Sequence, residues 1–150
     1  MLGAAVIALL VVVPSTRTSF ESSNIANAST TRQVLMVLVI IPVGTAVFEE
    51  TIFRGVLLGV LLRAGTRRTA VVVSSVLFGF WHLVPALSDA NSQSGAATVG
   101  VVVGTIAVTT IAGVLFAWLR LRSGSLVAPT LAHIATNSLT YLAVLFVLNV

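Results

Sequence analysis

The sequence predicts an all-α protein: a polytopic transmembrane bundle of about four to six helices with a polar site buried between them. Three observations carry this. The chain is 57% hydrophobic and 8% charged, whereas a soluble domain carries about 25% charged residues. Apolar stretches near the length of a membrane span, roughly 20 residues, recur along it. A few ionisable and amide side chains interrupt those stretches at matching depths. Backbone groups in lipid have no water to bond, so spans of this kind are helical.

Taken in order, residues 2–13 (LGAAVIALLVVV) are apolar but short, and no positive n-region marks a signal peptide. They read as a short first span or the tail of one in a longer chain. Residues 14–32 (PSTRTSFESSNIANASTTR) form a polar surface loop. The chain thus divides into 1–32, a short or truncated apolar helix with its loop, and 33–150, a transmembrane helical core. Within the core four stretches qualify as spans: 33–63, 69–86, 97–119 and 126–149. The first is long and holds Pro42 and Gly44, which predicts a tilt, a kink or a split into two helices near that point. The second ends at Trp81 and Pro85, residues suited to the membrane interface.

Arginine placement orients the bundle. Arg63, Arg67 and Arg68 share one short loop, Arg120 and Arg122 another, and the intervening SDANSQSG carries none. The positive-inside rule puts the two arginine loops in the cytoplasm and SDANSQSG outside, although Arg17 and Arg32 on the outer side run against it. All eight basic residues are Arg, which suggests a GC-rich bacterial genome and hence a bacterial plasma membrane. The formal charge of +4 sits at segment ends, so it speaks for topology and against nucleic acid as a partner. Membrane lipid and a peptide or membrane-protein substrate are the expected partners. With no Cys there is no thiolate nucleophile, disulfide or Cys-ligated metal. Gly55 and Gly59, and Gly100 and Gly104, have the GxxxG spacing of helix-packing surfaces.

FEETIFRG, residues 48–55, places Glu49, Glu50 and Arg54 inside an apolar run. Counted from the cytoplasmic helix ends at about 1.5 Å per residue, Glu50 and His82 both lie roughly 20 Å up, His133 about 12 Å and Asn137 about 18 Å. Residues four apart share a helical face, which pairs Glu50 with Arg54, Phe78 with His82, and His133 with Asn137. Glu49 projects about 100° from Glu50, so one carboxylate can face a cavity while the other faces a neighbouring helix. Singly, each feature has a plainer reading: an intrahelical ion pair, an interfacial histidine, interhelical hydrogen-bond glue. Ionisable groups within a membrane cost several kcal/mol unless paired or solvated, and their coincidence at one depth favours a shared functional site.

Hydrolysis suits this set. A water attacking a carbonyl must lose a proton, which a carboxylate or imidazole can take. The oxyanion then needs donors, for which an imidazole and an Asn amide serve. Glu and His are also acceptable zinc ligands, and a zinc-bound water would reach a pKa of about 7. The zinc-protease helix motif HExxH is absent. The cofactor expectation is therefore none, or a divalent metal such as zinc.

EETIFRG resembles the EExxxR motif, FGFWH the FxxxH motif and HIATN the HxxxN motif of the CPBP intramembrane protease family. That family, also called Abi, includes CAAX prenyl endopeptidases and proteins linked to bacteriocin processing or immunity. The resemblance covers about residues 40–140 and keeps the motif order. It implies an intramembrane endopeptidase, with Glu49 and His82 activating the water and His133 and Asn137 stabilising the oxyanion. Glu50 and Arg54 would support the site, and Phe78 would pack beside it. Family members usually carry more helices before EExxxR, so the chain is expected to be a minimal or N-terminally truncated version. Two other classes compete: a non-catalytic immunity or scaffold protein of the same fold, and a proton-coupled transporter, against which no inverted repeat is visible.

Overall fold

An apolar run in lipid has to satisfy its own backbone, and the helix is the local solution. The computed structural model describes residues 28–90 and 95–148, and each run expected to span is helical. Helix α1 covers Thr30–Ala64, α2 Arg67–Trp81, α3 Leu83–Asp89, α4 Ala96–Ser123 and α5 Val127–Leu148. No strand occurs among the described residues. Among the described residues three stretches are long and apolar enough to cross a membrane: α1, Arg67–Ser88 and α4. The protein is an integral membrane protein built as an all-α bundle. The apolar run at 2–13, most of the 14–32 loop and residues 91–94 of SDANSQSG lie outside the described residues.

Helix ends follow local chemistry. Ser29 and Thr66 are N-caps: their hydroxyls accept from the backbone N–H of Arg32 at 3.4 Å and of Thr69 at 3.2 Å. α4 stops at Gly124, whose left-handed φ of 68° only glycine adopts freely. Its N–H closes on the Arg120 carbonyl at 3.1 Å.

Of the tilt, kink or split expected near Pro42 and Gly44, the split does not occur: α1 runs on through both residues. Instead Met36–Val47 and Thr51–Leu57 are wound as π-helix, separated by the α-helical Phe48–Glu50. Pro42 has no N–H, and its ring crowds the carbonyl four residues back. Opening the turn to an i→i+5 pattern keeps the helix running past it. Wider turns also advance less per residue, which shortens a 35-residue run toward the thickness of a bilayer.

Glu49–Thr130 forms one compact unit; Met1–Phe48 with Leu131–Val150 forms another. In the first, α2 and α4 approach closely at small residues. A Cβ on Gly79 would run into the Thr110 hydroxyl and lie 2.9 Å from the Ile106 carbonyl oxygen; one on Gly113 would lie 3.1 Å from Ser75 Cα. The small-residue pair on α2 is therefore Ser75 and Gly79, four apart. Of the glycines expected to pack, Gly55 has Leu126 3.4 Å from where a Cβ would stand, while Gly59, Gly100 and Gly104 face open space among the described residues. Leu58, Ala70 and Ala117, with Leu61, Val71 and Leu121 around them, join the end of α1, the start of α2 and the end of α4. Arg63, Arg67, Arg68, Arg120 and Arg122 consequently share one end of this unit, as the two-loop orientation expects. In the second unit Ile41, Ala46, Tyr141 and Val144 are buried.

Candidate active site

The two glutamates occupy the short α-helical step between the π-wound segments of α1, and consecutive positions on a helix point in different directions. Glu50 takes the inward one. Arg54 Nη1 donates to Glu50 Oε1 at 3.0 Å, and neither side chain is exposed to solvent. The guanidinium does more than balance charge. Its Nη2 donates to the Gly113 carbonyl on α4 at 3.2 Å. Its carbon lies 4.1 Å from the ring centre of Phe78, 5.2 Å from Phe116 and 5.9 Å from Phe53. Planar, weakly hydrated Arg suits an aromatic enclosure of this kind better than Lys. Ser74 adds a second tie, donating to the Phe53 carbonyl at 3.3 Å.

Glu49 turns to the end of α2. Its Oε1 accepts the Trp81 indole N–H at 3.2 Å, and its Oε2 lies 3.9 Å from His82 Nε2. That last separation exceeds a hydrogen bond. His82 sits where α2 gives way to α3, with φ −86° and ψ 4°, the sparsely allowed bridge region that turn and active-site residues use. Pro85 explains the break. It has no N–H for the Trp81 carbonyl, and its ring crowds that oxygen. The chain closes around the gap instead, with His82 N–H to the Gly79 carbonyl at 3.1 Å and Ala86 N–H to the His82 carbonyl at 3.0 Å.

The His82 ring is held by the residue one turn earlier. Nδ1 is 2.9 Å from the Phe78 carbonyl oxygen. A carbonyl only accepts, so Nδ1 carries the hydrogen, and in the neutral imidazole Nε2 presents its lone pair toward Glu49. The Phe78 ring stacks edge-on to the His82 ring at 4.8 Å between centres and to Phe53 at 5.1 Å. One residue thus roofs the Arg54 guanidinium with its side chain and sets the tautomer of His82 with its backbone.

Of the residues expected to form the site, Glu49, Glu50, Arg54 and His82 meet in the Glu49–Thr130 unit. His133 and Asn137 belong to the other unit, four apart on α5, with His133 buried and Asn137 half-buried. Several partners were not singled out from the sequence: Phe53, Phe116, Ser74, Gly113, and Trp81 as more than an interfacial marker. The Trp81 indole had one signal, since a Trp N–H in an apolar environment needs an acceptor. Among the described residues no three His, Asp or Glu side chains are grouped so as to hold a metal ion. Glu49 and His82 are two donors, where a catalytic zinc takes three from the protein.

No curated protein and no solved structure matches the chain. A family model described as type II CAAX prenyl endopeptidase Rce1-like matches residues 31–139, a span that contains every residue of the site just described. The chain belongs to the type II CAAX prenyl endopeptidase Rce1-like family, whose general activity is that of a CAAX-type intramembrane endopeptidase.

Proposed function

We propose that this protein is an intramembrane endopeptidase of a bacterial plasma membrane that hydrolyses a peptide bond with a water held between Glu49 and His82. The observation that carries the reading is the 3.9 Å gap between Glu49 Oε2 and His82 Nε2. Both atoms accept hydrogen bonds once Nδ1 is committed to Phe78. A water that donates one hydrogen to each turns its oxygen lone pairs outward, toward an incoming carbonyl carbon.

Attack forms the C–O bond as Glu49 takes the water's proton. The carbonyl oxygen becomes an oxyanion, to which the His133 imidazole and the Asn137 amide are assigned as donors by the family motif they match. Collapse breaks the C–N bond, and the proton held on Glu49 passes to the departing amine. Glu50 and Arg54 take no part in proton transfer. Their ion pair, enclosed by aromatic rings, holds the stretch of α1 on which Glu49 stands.

The test uses the protein in proteoliposomes with internally quenched peptides ending in a Cys-aliphatic-aliphatic-X sequence, farnesylated and unprenylated. Cleavage that is lost in Glu49→Ala and in His82→Ala, with unchanged thermal melting, supports the reading. Equal cleavage by the wild type and both variants defeats it. Wild-type protein that cleaves neither peptide, with Glu49→Ala changing only thermal melting, would favour a scaffold of the same fold.

A further inference from the structure

We infer that Trp81 is a positioning residue for the general base, selecting which oxygen of Glu49 receives the water's proton. The inference rests on the endopeptidase reading above and adds a residue to it. Glu49 has two chemically equivalent oxygens, and a carboxylate free to rotate would present either. The indole N–H takes Oε1 at 3.2 Å, which leaves Oε2 as the oxygen facing His82 Nε2. The indole is itself fixed, since its ring meets the Phe53 ring nearly edge-on, 5.8 Å between centres and 72° between planes. Phe53 in turn stacks on Phe78, which holds His82 through its carbonyl. One aromatic chain therefore sets both partners of the water, Glu49 through Trp81 and His82 through Phe78.

The geometry also explains why the residue before His82 is a Trp with half its surface exposed. At the last turn of α2 the Trp81 ring packs on Phe53 and its N–H points to Glu49. A Phe there would keep the apolar contact with Phe53 while losing the hydrogen bond to Glu49. Trp81→Phe is thus a substitution that separates positioning from packing.

The experiment measures peptide cleavage in proteoliposomes for the wild type, Glu49→Ala, Trp81→Phe and Trp81→His, with melting temperature for each. Trp81→Phe is expected to lower kcat about ten- to hundredfold, the range for removing an orienting hydrogen bond, with KM and melting unchanged. Trp81→His, which returns a ring N–H, is expected to recover part of the loss. The chain has two tryptophans, so in a Trp118→Phe background Trp81 emission reports directly on its contact, and Glu49→Ala should shift it. Wild-type kcat in Trp81→Phe while Glu49→Ala is inactive overturns the inference and leaves the endopeptidase reading standing. Full activity in Glu49→Ala overturns that reading and the inference together. An unshifted Trp81 emission overturns the inference alone.

Discussion

Arg54 and Glu50 lie one turn apart on α1 and pair at 3.0 Å with neither side chain exposed. A buried pair of this kind gains little over two well-packed apolar residues, but breaking it by removing one partner strands a charge. Arg54→Leu is therefore expected to destabilise the protein by about 3–5 kcal/mol, read as a large fall in melting temperature in detergent. The double variant Glu50→Leu with Arg54→Leu should recover much of that loss. Arg54→Lys should not match the wild type, because a point charge on a flexible stem loses the Gly113 contact and the ring stacking. Equal melting of the single and double leucine variants would contradict this account of the pair.

The α2–α4 contact makes a comparison between glycines informative. A methyl group on Gly79 would collide with Thr110 and the Ile106 carbonyl, and overpacking of a tight contact typically costs about 1–3 kcal/mol. Among the described residues Gly100 and Gly104 have open space where a Cβ would go, and Ala is better than Gly inside a helix by roughly 0.5–1 kcal/mol. Gly79→Ala should lower the melting temperature, whereas Gly100→Ala and Gly104→Ala should leave it level or raise it. If Gly100→Ala proves as harmful as Gly79→Ala, the close approach lies elsewhere.

Those glycines also show where sequence reasoning stops. Spacing within one helix was legible: Glu50 finds Arg54 and Phe78 finds His82, because i and i+4 meet whatever else the helix touches. The divergence of Glu49 from Glu50 follows from the same geometry. Contacts between helices depend on rotation and register, which spacing does not carry. GxxxG pointed to Gly59, Gly100 and Gly104, while the tight contact formed at Ser75, Gly79 and Gly113. Trp81 fits the usual expectation for an aromatic near a span end, and only the break at His82 reveals that its N–H faces Glu49. Pro42 marks an irregularity near that point of α1, but the sequence does not say that the helix meets it by opening into π-wound turns.

The assignment of His133 and Asn137 as oxyanion donors predicts a kinetic signature distinct from that of the base. Losing one such donor costs about 10²–10³ in kcat, while binding of the substrate is largely preserved. Asn137→Ala should therefore lower kcat by that factor with little change in KM or melting. Asn137→Asp, which replaces a donor with an acceptor next to developing negative charge, should be at least as damaging. An Asn137→Ala variant with full kcat would remove Asn137 from the mechanism.

Pro85 offers the sharpest separation of stability from activity, because it acts through the backbone at the end of α2. Its missing N–H forces α2 to end at Trp81 and leaves His82 at φ −86°, ψ 4°, a conformation that costs energy unless the surroundings impose it. An alanine at position 85 restores the donor and removes the ring clash, so the helix gains a hydrogen bond by running straight through His82. The His82 backbone would then turn to α-helical values, and its ring would swing away from the oxygen of Glu49 it now faces. Pro85→Ala is thus expected to melt at the same or a higher temperature while peptide cleavage falls about tenfold or more, the loss that follows when a general base or its partner is displaced. A variant that is both fully active and more stable would show that the break between α2 and α3 serves only to end a helix, and that His82 reaches its place without it.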